Sequence, residues 1–259
     1  MDLGIRGRTA IVCASSRGLG RACAMALARA GVDVTINARD AGALEATAKA
    51  IRDAVGVRVT AVAADIGTRE GQRLVLAACP NPDILVTNNG GPPFRDFRQI
   101  DREALFAGLA MNMVTPIELI AATIDGMIER RFGRIVNITS LSVKMPVPGL
   151  DLSSGARAGL TAFVAGVART VAQHNVTINN LLPGFFDTDR MRGGLAATAR
   201  MQGRPEAELA AERVEEIPAR RFGDPAELGE ACAFLCSAQA GYITGQNLLI
   251  DGGRFPGAF

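Results

Sequence analysis

The chain has 259 residues, 48% of them hydrophobic, so it can bury a sizeable core, and its length suits one large α/β domain or two small ones. The formal net charge is only +2 and the arginines are dispersed, which argues against nucleic acid or membrane as partners and favours small molecules. We find no linker, internal repeat, secretory signal or apolar run of membrane-spanning length, and expect one cytoplasmic domain over residues 1–259.

Strands and helices are predicted to alternate along the chain, which is typical of a parallel sheet with helices on both faces. Strands are expected near residues 9–14, 32–37, 58–63, 83–87, 133–139, 176–182 and 246–250. Helices are expected near residues 18–30, 41–54, 69–79, 101–129, 152–174 and 225–237. The fold class is therefore a doubly wound α/β fold with about seven parallel strands. Such sheets bind ligands at the carboxyl ends of their strands.

The first predicted strand leads into a turn of small residues that reads C-A-S-S-R-G-L-G-R from Cys13 to Arg21. Gly18 and Gly20 let the backbone approach a ligand closely, and the following helix offers free N–H groups and a positive potential. A glycine turn between a strand and a helix also occurs without any ligand. The turn alone therefore leaves nucleotide binding open.

The end of the second predicted strand bears on the choice of dinucleotide. A carboxylate there takes the ribose hydroxyls of NAD, whereas a basic residue accommodates the 2′-phosphate of NADP. Arg39 stands in this stretch, and Arg17 of the glycine turn is a candidate second guanidinium. Asp40, the next residue, weakens that preference. We expect NADP(H) as the cofactor.

The third and fourth predicted strands end in polar residues. Asp65 and Ile66 follow the third strand, and the turn Asn88, Asn89, Gly90 follows the fourth. This composition is ordinary for turns. Its position beside the glycine turn indicates one wall of a cofactor site.

The cysteines and the histidine do not form a set of metal ligands. The five cysteines contain no C-x-x-C pair, and we expect them to be buried free thiols without a metal or a disulfide. His174, the only histidine, is expected in a solvated loop. We therefore expect no metal site.

Several motifs together resemble those of the short-chain dehydrogenase/reductase family over nearly the whole chain. C-A-S-S-R-G-L-G is similar to the family's T-G-x-x-x-G-x-G loop, with Ala14 in place of the first glycine, and T-N-N-G at 87–90 is similar to N-N-A-G. L-L-P-G-F-F-D-T-D at 181–189 resembles the loop that holds the nicotinamide, and the segments at 220–228 and 243–253 are also typical of the family. The cofactor-binding residues that this resemblance implies are Ser15, Ser16, Arg17, Gly18, Leu19, Gly20, Arg39, Asp65, Ile66, Asn88, Asn89, Gly90, Arg157, Pro183, Gly184 and Thr188.

The resemblance also implies the catalytic positions. Asn112 matches the family's catalytic-site Asn, and Ser140 matches the Ser that polarises the substrate carbonyl. The family's Y-x-x-x-K motif lies thirteen residues after that Ser, which places Ser153 and Arg157 at the Tyr and Lys positions. The A-G-L at 158–160 gives the same alignment. The implied site is an atypical S-x-x-x-R.

This departure removes the phenol that normally transfers the substrate proton. A serine hydroxyl is a weaker acid and shorter than a phenol, and Arg157 stays protonated and cannot relay a proton. A positioned general acid contributes about 10² to 10⁴ in rate. Lys144, just beyond Ser140, is a candidate replacement, and the alternative is a solvated loop lysine. Tyr242, the only tyrosine, is expected to pack beside the last strand.

Residues 189–218 are expected to form a substrate lid, and an amphipathic helical pair packed on the body would show the same pattern. The resemblance implies an NADP(H)-dependent oxidoreductase, similar to 3-oxoacyl reductases, that acts on a carbonyl or hydroxyl compound as a homodimer or homotetramer. Two other functions stay open: a non-redox lyase or isomerase that stabilises an enolate, and a catalytically silent NADP(H)-binding protein. The absorbance of the cofactor during turnover separates the three.

Overall fold

The computed structural model of the protein describes residues 2–92 and 94–258, so the end residues Met1 and Phe259 of the predicted domain lie outside the described residues. Seven strands lie within these ranges: β1 (Thr9–Val12), β2 (Asp33–Ala38), β3 (Val59–Ala63), β4 (Ile84–Thr87), β5 (Gly133–Ile138), β6 (Val176–Pro183) and β7 (Asn247–Ile250). They form one sheet in the order β3-β2-β1-β4-β5-β6-β7, and every neighbouring pair is parallel. The predicted doubly wound fold with about seven strands is confirmed.

Helices cover both faces of this sheet. In the described part of the chain the α-helices are α1 (Gly18–Arg29), α2 (Ala41–Ala54), α3 (Arg69–Ala78), α4 (Arg102–Leu109), α5 (Thr115–Glu129), α6 (Asp151–Val171), α7 (Asp189–Gln202), α8 (Glu206–Glu215) and α9 (Pro225–Leu235). Shorter 3₁₀ turns occur at Phe97–Gln99, Leu141–Val143 and Ala172–His174. The predicted strands and helices therefore exist, with ends that differ by at most three residues.

Burial explains why these apolar runs become parallel strands. β4, β5 and β6 are buried at every residue, as expected for strands that helices cover on both faces. One core cluster contains Leu27, Leu44 and Leu228 from α1, α2 and α9. The other contains Leu119 and Leu160 from α5 and α6. The sheet is the middle of three layers.

The long helix predicted at 101–129 is interrupted. A π-helical turn, Ala110–Val114, separates α4 from α5 and contains the buried Asn112. A π turn inserts one extra residue into the helical repeat and re-aims the side chains beside it, which is why such turns frequently occur at functional sites. Asn112 therefore occupies a position that a regular helix would not provide.

The helical run Arg102–Glu129 also corrects an expectation about membranes. Its 28 residues include an 18-residue window of mean hydropathy 1.6, so by length and composition it is able to cross a bilayer. The expectation that no apolar run reaches that length was wrong. Core helices meet the same criterion, and Leu119, Ile120 and Met127 of this run are buried in the core cluster beneath the sheet.

A row of polar side chains, which we call the amide ladder, crosses β4 to β7. Thr87 Oγ1 donates to Asn137 Oδ1 at 2.6 Å, and Asn137 Nδ2 donates to Asn180 Oδ1 at 3.0 Å. Asn180 Nδ2 in turn donates to Asn247 Oδ1 at 2.8 Å. The four residues are register partners on adjacent strands, and the first three are buried. Each buried polar group of the ladder is thus satisfied by the next strand.

The order of the strands defines where a ligand fits. The chain runs outward from β1 to β2 and β3, and then starts again at β4 on the other side of β1. The carboxyl ends of β1 and β4 therefore border the crevice at which such sheets bind ligands. The turns that begin at Cys13 and Asn88 meet at this point.

Side chains at the opposite edge of the sheet are remote from that crevice. Tyr242 precedes β7 and is fully exposed, so the expectation that it packs beside the last strand was wrong. The neighbouring Ile243 packs against the core instead. His174 lies in the turn before β6 and is half-buried.

The five cysteines are free and buried, as expected.

Candidate active site

The turn after β1 depends on two residues with left-handed backbone conformation, Ala14 (φ +46°) and Gly18 (φ +57°). A Cβ atom on Gly20 would lie 2.4 Å from the carbonyl oxygen of Ala14, so only glycine permits this approach. No side chain of the described residues caps the N-terminus of α1, where Arg17 is the N-cap residue. The first N–H groups of α1 therefore remain available to an anion such as a phosphate.

Ser15 and Ser16 of the glycine turn make hydrogen bonds within the protein. Ser15 is fully buried, and its Oγ donates to the carbonyl of Val12 at 2.7 Å and accepts from the backbone N–H of Asn37 at 3.1 Å. Its hydroxyl therefore ties β1 to β2 beneath the turn instead of facing a ligand. The carbonyl of Ser16 accepts from Thr47 Oγ1 at 2.7 Å, which fixes the turn against α2.

The basic residues near the end of β2 are exposed. Arg17 Nη2 lies 3.4 Å from Asp40 Oδ2 in an ion pair whose two side chains are more than half exposed. Asp40 also accepts from the N–H of Ala43 at 3.0 Å and is the N-cap of α2. The cap gives Asp40 a structural role that the sequence did not reveal. Arg39 is exposed and forms no ion pair with the described residues.

The turns after β3 and β4 form one side of the crevice. Asp65 is exposed and accepts from the N–H of Gly67 at 2.9 Å, while Ile66 is buried in the core. Asn88 Nδ2 donates to the carbonyl of Ala14 at 3.3 Å and joins the two turns. No described atom lies within 4 Å of a Cβ built on Gly90, so the space beside this residue is open. Asn89 Nδ2 donates to the carbonyl of Met111 at 3.4 Å.

The turn after β6 closes the crevice from the other side. Pro183 ends β6, and Gly184 packs so closely on Asp251 that its Cβ would lie 2.7 Å from that residue. Thr188 is the N-cap of α7, and its methyl carbon lies 3.6 Å from a Cβ built on Gly18. The predicted residues Gly18 and Thr188 are thus brought together, as the resemblance implies.

Three of the five predicted catalytic residues form one chain of hydrogen bonds. Arg157 Nε donates to Ser153 Oγ at 3.1 Å, and Ser153 Oγ donates to Asn112 Oδ1 at 3.3 Å. Asn112 Nδ2 then donates to the carbonyl of Gly90 at 3.1 Å. The chain connects α6, through the π turn, to the open space beside β4. We call it the Asn112–Ser153–Arg157 chain.

Arg157 is anchored by backbone carbonyls as well. Its Nη1 donates to the carbonyl oxygens of Ile138 and Thr139, at 2.8 and 3.0 Å. Burial and, to a smaller extent, the positive charge of Arg190 lower the pKa of Arg157 to about 10. The guanidinium therefore stays charged at neutral pH. Because Nε and Nη1 are occupied within the protein, Nη2 is the nitrogen that can reach a ligand.

Ser140 follows β5 and is partly exposed at the same edge of the sheet. Its Oγ accepts from the N–H of Ser142 at 3.0 Å, which leaves the hydroxyl proton free to donate. Lys144 follows the 3₁₀ turn that Ser140 caps, and its Nζ lies 5.6 Å from the centroid of the Phe255 ring. Neither Ser140 nor Lys144 makes a hydrogen bond with the Asn112–Ser153–Arg157 chain in the described residues, and the contact that positions the Lys144 ammonium is with Phe255.

One side chain at this edge was missed by the sequence analysis. Arg190, in the first turn of α7, lies against Gly91: a Cβ built on Gly91 would be 2.6 Å from Arg190 Nη2. No family motif includes this arginine. Its position beside the turn after β4 follows only from the way α7 folds back over the sheet.

Ala14 offers a test of the backbone at the glycine turn. A left-handed conformation costs a residue with a Cβ atom about 1–2 kcal/mol, which glycine avoids at the expense of greater chain entropy when unfolded. We expect Ala14→Gly to raise the free energy of unfolding by about 1 kcal/mol in urea denaturation at a fixed protein concentration.

The matched control is Ala46→Gly on the exposed face of α2, where the backbone is right-handed. That substitution should lower the free energy of unfolding by about 0.5–1 kcal/mol. If Ala14→Gly lowered the free energy of unfolding as much as the control does, the backbone at Ala14 would not be strained.

Fold and site together define a dinucleotide-binding α/β protein of the Rossmann type. A family model described as enoyl-(acyl carrier protein) reductase matches residues 13–254. The 3-oxoacyl-(acyl-carrier-protein) reductase FabG of Vibrio cholerae is 33% identical over 257 residues, which cover 98% of this chain and 99% of the relative. The chain belongs to the short-chain dehydrogenase/reductase family.

Solved structures agree with this assignment. L-sorbose reductase from Gluconobacter frateurii, complexed with NADPH and L-sorbose, matches with a TM-score of 0.93 and 27% identity over 99% of this chain and all of that one. A 3-oxoacyl (acyl-carrier-protein) reductase from Agrobacterium tumefaciens with NADP bound matches with a TM-score of 0.87 and 29% identity, over 97% and 95% of the two chains.

Proposed function

We propose that this protein is an NADP(H)-dependent oxidoreductase that acts on a carbonyl or hydroxyl compound and is similar to 3-oxoacyl reductases. The observation that supports this most directly is the Asn112–Ser153–Arg157 chain, which ends at the open space beside Gly90. The uncapped N-terminus of α1 and Ser140 border the same edge of the sheet. Relatives of this family in which NADP or NADPH is bound have the same fold.

The residues present fit such a cofactor. The N-terminus of α1 would hold the pyrophosphate, because its first N–H groups are free and Gly20 allows close approach. Arg39 would bind the 2′-phosphate. Arg17 would bind beside it after its exposed ion pair with Asp40 breaks. Asp65, Asn88 and Asn89 would line the adenosine side, and Ile66, whose side chain is buried in the core, would contribute only its backbone. Pro183, Gly184 and Thr188 would line the nicotinamide side.

Ser140 and the proton donor would act on the substrate oxygen. When bound, the reduced nicotinamide supplies a hydride to the carbonyl carbon. The Ser140 hydroxyl donates a hydrogen bond to the carbonyl oxygen and stabilises the negative charge that develops on it. Lys144 Nζ is the candidate group that gives this oxygen its proton, which completes the conversion of a ketone to an alcohol. The reverse direction uses the same groups in the opposite order.

We further propose that Ser153 and Arg157 stand where the family has its Tyr and Lys. Ser153 cannot supply the proton of a phenol, and its hydroxyl already donates to Asn112. Arg157 positions Ser153 and Asn112, and its Nη2 is available to a ribose hydroxyl. In this arrangement the S-x-x-x-R pair is a positioning element, and the helices α7 and α8 above it, within the predicted segment 189–218, are the substrate lid.

A panel of 3-oxo esters and thioesters tests the proposed function. The full chain is incubated with NADPH and each compound, while absorbance at the nicotinamide band and product by mass spectrometry are followed together. Oxidation of NADPH in step with alcohol formation supports the proposal. Product without oxidation would indicate a lyase or isomerase, and binding without any product a silent NADP(H)-binding protein.

Arg39 is expected to set the preference for NADPH over NADH. A hydrogen bond to a charged group contributes about 1.5–3 kcal/mol, so Arg39→Ala should weaken NADPH binding by about 10- to 150-fold and leave NADH binding nearly unchanged. Fluorescence titration measures both affinities. Arg58, an exposed arginine before β3 at the opposite edge of the sheet, provides the control Arg58→Ala. Equal affinity of the unmodified protein for both cofactors would overturn the assignment.

A homodimer or homotetramer is expected, as the family resemblance implies. Leu105, Phe106, Val114 and Phe163, which lie on α4, the π turn and α6, are each between 44% and 54% exposed. Such apolar side chains would be covered by a second copy of the chain. Light scattering at micromolar concentration should give the mass of two or four chains, and Phe163→Glu should reduce it. A stable monomer in the unmodified protein would refute the assembly.

A further inference from the structure

Two guanidinium groups near the candidate site, those of Arg157 and Arg190, have no carboxylate partner among the described residues. Neither Arg157 nor Arg190 forms an ion pair with the described residues, whereas Arg192, two residues further along α7, pairs with Asp187 at 2.6 Å. Besides burial, the positive charge of Arg190 contributes to lowering the pKa of Arg157. Like charges that converge without a counter-ion are stabilised when an anion binds beside them.

The position of Arg190 relates it to the reacting region. Its guanidinium rests on Gly91, where a Cβ would lie 2.6 Å from Nη2 and 3.3 Å from both Cζ and Nη1. Any larger residue at this position would push Arg190 away. The preceding Gly90 accepts from Asn112 and borders open space. Arg190 thus lies beside the end of the Asn112–Ser153–Arg157 chain.

We propose that Arg190 binds a carboxylate of the substrate, so that the compound reduced or oxidised is an oxo acid or hydroxy acid with a free carboxylate. The inference rests on the proposed function in taking this ligand as the substrate. The planar guanidinium offers two parallel N–H groups, which match the two oxygens of a carboxylate. The positive charge of Arg157 also favours an anion in the site, while its Nη2 remains available to the ribose hydroxyl.

The same arginine has a less favoured assignment, a contact with the phosphates of the cofactor. The N-terminus of α1 and Arg39 already supply donors for those phosphates at the β1 and β2 ends. Arg190 lies instead against the turn after β4, beside the residues that surround the reacting carbonyl. A contact with the substrate therefore agrees better with its position.

Binding of unreactive acids tests the proposal without turnover. Oxamate and malonamate are compared with the neutral oxamide and malonamide by calorimetry on the full chain saturated with NADP. We expect at least one acid to bind at least 10-fold more tightly than its diamide. Arg190→Gln should abolish this preference and leave the affinity for NADP unchanged. Arg190→Lys, which retains the charge, should keep part of the preference.

The control is Arg200→Gln, which removes an exposed arginine on the same helix α7 and should change nothing. Equal binding of acids and diamides by the unmodified protein would overturn the proposal, as would a preference that survives in Arg190→Gln. A loss of NADP affinity in Arg190→Gln would assign the arginine to the cofactor instead.

Turnover separates this proposal from the proposed function. Reduction of 2- and 3-oxo acids is compared with reduction of their methyl esters. Faster reduction of the esters would refute the carboxylate and keep the oxidoreductase. Tight binding of acids through Arg190 without oxidation of NADPH by any compound would refute the oxidoreductase and leave the carboxylate site standing.

Discussion

Replacing Ser153 by tyrosine and Arg157 by lysine in the same protein is expected to raise NADPH-dependent reduction by about 10²- to 10⁴-fold for a simple activated ketone whose oxygen Lys144 does not protonate. The phenol would supply the general acid that a serine hydroxyl cannot, and the ammonium of the lysine would lower the pKa of that phenol. Initial rates at saturating NADPH measure the effect. Ser153→Tyr alone should gain less, because its phenol would lack the lysine.

The control for this result is Ser153→Phe combined with Arg157→Lys. It introduces the same ring and releases the same carbonyls of Ile138 and Thr139, but it has no hydroxyl. If the phenylalanine protein were as active as the tyrosine protein, the gain would come from repacking of α6 and not from proton transfer. No gain in either protein would contradict the assignment of these two positions.

Lys144→Ala is expected to lower turnover of the native substrate by about 10²- to 10⁴-fold, because it removes the proposed proton donor. The affinity for NADPH should stay nearly unchanged, since Lys144 lies beside Phe255 and not at the cofactor turn. Turnover and cofactor affinity are measured on the same preparations.

Two further variants test whether the loss of turnover is specific to proton donation by Lys144. Lys49 is the only other lysine of the chain, lies exposed on α2, and gives the control Lys49→Ala. Lys144→Arg keeps a cation beside Phe255 but cannot give up its proton at neutral pH. Retained turnover in Lys144→Arg would mean that the site needs the charge alone. Full activity in Lys144→Ala would exclude Lys144 from the chemistry.

Most of the fold was predictable because the local sequence pattern of each segment agrees with the secondary structure that the segment adopts in the fold. Buried parallel strands read as short apolar runs, and glycine and asparagine mark the turns at their carboxyl ends. The π turn at Ala110–Val114 was not predictable, since no residue type specifies it. It forms where α4 packs on α6 and α5 packs on the sheet and on α6, and those contacts depend on the whole fold.

The site was predictable in its positions and less so in its contacts. Motifs located Asn112, Ser140, Ser153 and Arg157, and the first, third and fourth of these are indeed linked by hydrogen bonds. The sequence could not show that Ser15 lies under the glycine turn. Nor could it show that two nitrogens of Arg157 donate hydrogen bonds within the protein, or that Arg190 lies against Gly91 beside the site. Each depends on contacts between residues far apart in the chain.

The amide ladder fixes the register of β4 to β7, and so the relative positions of the residues that follow their carboxyl ends. A slip of one residue between β5 and β6 would move one strand by about 3.3 Å along the other and turn its side chains to the opposite face. Asn137 and Asn180 would then face away from each other, and both would lose their buried partners. Because Ser140 follows β5 and Pro183 ends β6, the ladder also sets the distance between Ser140, the proposed carbonyl-binding residue, and the turn after Pro183 that is proposed to hold the nicotinamide. Polar contacts within the sheet thereby fix the distance between two proposed binding elements at its edge.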